Sequence, residues 1–147
     1  MQATLNKLFL FASLLILAGC ASVPMAPKDQ DAASKTFKAP SEKMAGVYIY
    51  RNSSYGSALK KAIKIDETVL GQSAKYTFFH KEVAPGEHTL STQSEFGENI
   101  LKFTAEEGKN YYFRQYIKMG VFVGGSNFES VTEEVGKKGV LECSEAK

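Results

Sequence analysis

Tryptophan is absent from this chain of 147 residues, and histidine occurs only twice, at His80 and His88. Histidine is the usual general base and metal ligand, so its scarcity narrows the chemistry on offer. Ala84-Pro85-Gly86-Glu87 reads as a hairpin turn. If that loop is four residues long, Val83 faces His88 and the two histidines lie on opposite faces of one sheet, unable to share a metal. A one-residue slip would reverse this. His88 then reads as a core-edge residue bonded to backbone, and His80 as a surface or interface residue. No phosphate loop occurs, and no carboxylate pair stands apart from turn acids such as Asp66-Glu67 and Glu106-Glu107. Gly71-Gln72-Ser73-Ala74 starts like a hydrolase nucleophile elbow, but Lys75 stands where the second glycine belongs. Ser57-Ala58-Leu59-Lys60 has Ser-x-x-Lys spacing without a Lys-Thr-Gly companion. The reading is a protein that is not an enzyme and needs no cofactor and no metal. The alternative is a small envelope hydrolase with an unrecognised serine or histidine site.

A surplus of charge is also missing. Only Lys7 among the 18 basic residues precedes Cys20, leaving 17 against 16 acidic residues. Such a balance gives no pull towards nucleic acid. The apolar run Leu8 to Leu17 is too short to span a bilayer comfortably and, behind Lys7, has the form of a secretory signal. Leu17-Ala18-Gly19-Cys20 resembles the bacterial lipoprotein lipobox, whose cysteine takes a diacylglycerol and becomes the N-terminus. Residues 1–19 are then a signal peptide and Cys20 is the lipidation site. The resemblance implies several acyl chains, palmitate among them, which suffice for stable anchoring. Cys143 would remain the sole thiol, excluding an intramolecular disulfide, and reads as a buried hydrophobe. Ala21, rather than an aspartate, implies the periplasmic face of the outer membrane in a Gram-negative envelope.

Residues 20–43 are poor in apolar side chains and hold Pro24, Pro27 and Pro40. They read as a lipidated flexible tether, about 20 residues reaching roughly 25 Å. Residues 44–147 read as one all-β domain, an antiparallel β-sandwich of about seven strands. Strands are expected at 46–51, 59–66, 75–83, 88–93, 100–104, 110–123 and 128–131, separated by turns rich in Gly, Asn and Ser. Thr132-Glu133-Glu134 resembles a helix start, but Gly136 and Gly139 predict that the helix is short or absent.

In the 110–123 strand, Tyr111, Phe113 and Ile117 form the natural core face. Tyr112, Arg114, Tyr116 and Lys118 form an aromatic–cationic stripe opposite. The stripe suits a partner protein or a cell-wall polymer, the sugar version being weakened by the lack of tryptophan. The favoured reading is a solvated sheet face, or one packed beneath the C-terminal segment, with Arg and Lys stems covering tyrosine.

The glycine-led first strand, the Pro-Gly-x-His element within Val83 to Leu90, and Gly108-Lys109-Asn110-Tyr111-Tyr112-Phe113 occur together. In this combination the chain resembles a family of small bacterial lipoproteins classed as a domain of unknown function, over about 45–135. The hairpin is also similar to transthyretin-like sandwiches. The resemblance implies a fold and offers no catalytic residues.

Overall fold

The computed structural model describes residues 21–147, so Cys20 and the signal segment lie outside the described residues. Two sheets pack as a sandwich. One has the order β8-β7-β1-β4-β9 and the other β3-β2-β5-β6. The strands are β1 (Ala45–Arg51), β2 (Lys61–Ile65), β3 (Thr68–Ser73), β4 (Thr77–Val83), β5 (Gly86–Gln93), β6 (Glu98–Ala105), β7 (Asn110–Lys118), β8 (Gly125–Val131) and β9 (Ser144–Glu145). Two helices accompany them among the described residues, α1 (Lys28–Ser34) and α2 (Glu133–Leu141).

Every residue of β1 is buried, because this central strand is covered on both sides. Alternation sends Val47 and Ile49 inward, against Ile63, Ile65 and Leu90 of the second sheet and Phe79, Phe113 and Phe128 of their own. Tyr48 and Tyr50 point outward into a second core with Phe78, Tyr112, Val140 and Cys143. The outer core exists because α2 lies across the first sheet. Its N-cap is Thr132, whose side chain accepts the Val135 N–H at 3.4 Å. Gly136 and Gly139 are the contact surface of the helix. A Cβ at Gly136 would lie 2.3 Å from Tyr112, and one at Gly139 would lie 2.1 Å from the Tyr50 ring. The glycines that weaken this helix are therefore also what lets it approach the sheet.

Three expectations change. Among the described residues the sandwich has nine strands and is not wholly antiparallel, since β1–β7 and β4–β9 pair in parallel. Ala84 and Pro85 do not close a hairpin: β4 and β5 belong to different sheets, and the chain crosses from one to the other there. His80 and His88 consequently sit on separate sheets. Residues 21–43 are not a free tether. Met25 bridges Ala146, the Ala26 N–H donates to Glu145 O at 2.9 Å, and the Lys147 N–H donates to Pro24 O at 2.9 Å. Phe37 packs against Tyr48 and Tyr112 with ring centroids 5.5 and 6.3 Å away. The sequence hid this because single apolar residues, Val23 and Phe37, do the packing among many polar ones.

Candidate functional site

β7 splits the expected stripe. Tyr112 is 2 % exposed, lying beneath Gly136 of α2 and stacked on Tyr48 at 5.1 Å. Burial pushes its phenol pKa up, and that of Tyr48 up to about 12. Tyr112 therefore belongs to the outer core and is removed from the exposed stripe. The reason is its place under the helix: Tyr112 lies directly beneath Gly136 of α2, whereas the Arg114 side chain, opposite Tyr50, runs out to solvent and Glu129, and Tyr116 keeps partial exposure. Arg114 is exposed and its Nε donates to Glu129 Oε1 at 2.9 Å from the neighbouring β8. Tyr116 is half-buried and Lys118 exposed at the end of the strand. What survives of the stripe is Arg114, Tyr116 and Lys118.

The histidines have separate partners. His80 stacks on Tyr48 at 4.3 Å, and burial lowers its pKa. His88 Nδ1 lies 2.5 Å from Asp66 Oδ2, and Nε2 lies 2.7 Å from Ala84 O. A carbonyl only accepts, so Nε2 carries a proton, and the carboxylate favours one on Nδ1. Burial opposes the charge on His88, but Asp66 and the Ala84 carbonyl outweigh it and raise the pKa. In Asp66 burial is likewise outweighed, by hydrogen bonds from His88 and Thr89, and its pKa falls. While it is protonated, with both nitrogens facing acceptors, His88 has no lone pair with which to act as a base. It clamps the β2–β3 turn, in which Asp66 and Glu67 take positive φ of 47° and 66°, to β5 and the Ala84 crossover. Ser73 is buried with its hydroxyl donating to Lys61 O at 3.3 Å. Among the described residues no group of three or more His, Cys, Asp or Glu side chains is placed to hold a metal.

One region carries the pattern of the far half of a strand and folds otherwise. β7 ends at Lys118, and residues 119–124 form a projecting loop in which Met119, Val121 and Phe122 are each more than 80 % exposed. Its backbone is nonetheless satisfied. Glu95, from the β5–β6 turn, accepts the N–H groups of Val121 at 2.8 Å and Val123 at 3.2 Å, and that of Phe122 between them. Those bonds hold the Glu95 carboxyl below its ordinary pKa. Gly120 is needed here, because a Cβ would lie 2.5 Å from the Glu95 carboxylate and 1.9 Å from Val123 O. Beside this loop runs the 52–60 segment, pinned by the fully buried Arg51. Its guanidinium donates to Leu59 O at 2.8 Å, Tyr55 O at 3.2 Å and Gly56 O at 2.7 Å. Alternation alone missed the loop, since Val121, Phe122 and Val123 look like strand until Gly120 and Gly124 are seen to bound them.

No solved structure matches this chain. A protein of Haemophilus influenzae, described only as uncharacterized, is 46 % identical over 145 residues, covering 96 % of this chain and 86 % of its own. Residues 41–126, from the approach to β1 through the projecting loop to the start of β8, match the family described as Protein of unknown function (DUF2846). That span is more than half of the chain, and the chain belongs to the DUF2846 family.

Proposed function

We propose that this protein is a lipid-anchored envelope protein that acts by binding rather than catalysis, held through acyl chains on Cys20 to the periplasmic face of an outer membrane. One observation carries the reading: Lys7, the apolar run Leu8 to Leu17, and Leu17-Ala18-Gly19-Cys20 stand in the order of a signal segment and lipobox ahead of the sandwich. The binding half draws support from the C-terminal half of β7. There Arg114 and Tyr116 combine cationic and aromatic surface, as partner-facing patches do. The clamp at His88, with both nitrogens engaged, speaks against the histidine hydrolase as the alternative.

The test is Cys20→Ala in the full chain, expressed in a Gram-negative host fed a clickable palmitate analogue. The unaltered protein should take up label and fractionate with outer membrane. The variant should stay unlabelled as an unprocessed precursor. Normal cleavage and unchanged outer-membrane fractionation of the variant would overturn the anchor.

A further inference from the structure

Half of the large apolar side chains that are exposed among the described residues gather at one end of the sandwich: Tyr55, Phe96, Met119, Val121, Phe122 and Val123. Tyr55, Met119, Phe122 and Val123 line one shallow groove, and Phe96 and Met119 line its neighbour across the loop. Contiguous apolar surface of this kind is unusual on a monomeric soluble protein and marks an interaction site.

The position of Ala21 says what covers it. The Ala21 N–H donates to Ser57 O at 3.3 Å, and Ser57 follows Tyr55 and Gly56 in the segment that walls the apolar groove. Cys20 is the residue bonded to Ala21 in the sequence. Resting on the reading of Cys20 as acylated, we propose that this tip seats in the headgroup–acyl boundary of a phospholipid bilayer. The protein then lies against the membrane instead of swinging above it.

The chemistry fits that occupant. Phe122 and Val121 present apolar area, and Tyr55 presents an amphipathic ring of the kind that favours membrane interfaces. The exposed Lys118 lines both grooves and offers a cation to lipid phosphates. Unpaired amides are costly in a low-dielectric boundary, and Glu95 has already satisfied those of Val121, Phe122 and Val123. Its carboxylate is committed to those three donors, which offsets part of the cost of bringing an anion near lipid.

The lack of tryptophan provides the test. Phe122→Trp places a single fluorophore at the tip. Lys109→Trp places one in an exposed position beside the start of β7, about 30 Å away along that nine-residue strand. Each full-length variant would be purified in processed form, checked for acylation by mass, and reconstituted into phosphatidylethanolamine–phosphatidylglycerol vesicles with brominated acyl chains. The expected result is a blue-shifted indole in the Phe122→Trp variant, quenched several-fold more than the indole of Lys109→Trp. Acylated protein with both fluorophores water-like and equally unquenched would overturn membrane seating and leave the anchor standing. A tip fluorophore that is blue-shifted but unquenched would overturn it in favour of a protein occupant, such as a second copy. A mass without acyl chains would overturn the anchor and this inference with it.

Discussion

Tyr112 and Arg114 are two positions apart on one strand face, yet they have different fates. Tyr112 sits directly beneath Gly136 of α2 and is core, while Arg114, opposite Tyr50, reaches solvent and Glu129. Asp66 and His88 show a similar dependence on neighbours, and here the consequence is measurable. The raised pKa of His88 contributes stability below its ordinary value of 6.5, lost as pH rises through the higher folded value. The lowered pKa of Asp66 contributes stability above its ordinary value of 3.8, lost as pH falls through the lower folded value. The pair should therefore help most between pH 3.8 and 6.5. Thermal melts of Asp66→Asn against the unaltered protein should differ most in that window and converge towards alkaline pH. A difference that grows steadily above pH 7 would show that the clamp is not an ion pair.

At the scale of elements, α2 is held by contact more than by propensity. Gly139→Ala removes a weak helix former, which on an exposed face would stabilise by up to about 1 kcal/mol. Here the new methyl meets the Tyr50 ring, so the helix must lift, and overpacking of this kind costs roughly 1–3 kcal/mol. The melting temperature should fall, whereas Lys138→Ala on the exposed side should stay within about 0.5 kcal/mol of unaltered. A more stable Gly139→Ala would mean that α2 does not press on the sheet. The same logic explains α1 and the segment around it. Asp31 Oδ1 accepts the Glu145 N–H at 2.7 Å and Tyr48 Oη donates to Ser34 O at 3.1 Å, so a stretch with the composition of a linker becomes part of the wall.

For the whole molecule, the surviving face of β7 and the apolar tip leave two surfaces with different chemistry. Arg114→Ala combined with Tyr116→Ala should lower the melt only modestly, since the exposed Arg114–Glu129 pair contributes about 0–1 kcal/mol and truncating the half-buried Tyr116 costs less than the roughly 3–5 kcal/mol of a fully buried aromatic. In intact envelopes, crosslinking through this face should give an adduct with the unaltered protein and lose it with the double variant. An unchanged adduct would remove Arg114 and Tyr116 from the binding reading. A collapsed melt would place them in the core beside Tyr112.

The sequence by itself determined the β character, the placement of most strands and the start of α2. These follow from local patterning: β-branched and aromatic residues in β1, glycine at the turns, and Thr132 with Glu133 and Glu134 at a helix start. It also carried the whole case for Cys20, which is a matter of order and spacing. Tertiary structure decided the rest. Which sheet β5 joins, and so whether His80 can approach His88, depends on where the chain turns at Pro85, and alternation is blind to that. The short β3 was missed because Val69 and Leu70 lie in a strand with little buried surface to mark it. Tyr112 reads the same from sequence whether bare or covered. Its burial was decided by a helix about twenty residues further along the chain, whose two glycines have no side chain and so leave room for a tyrosine.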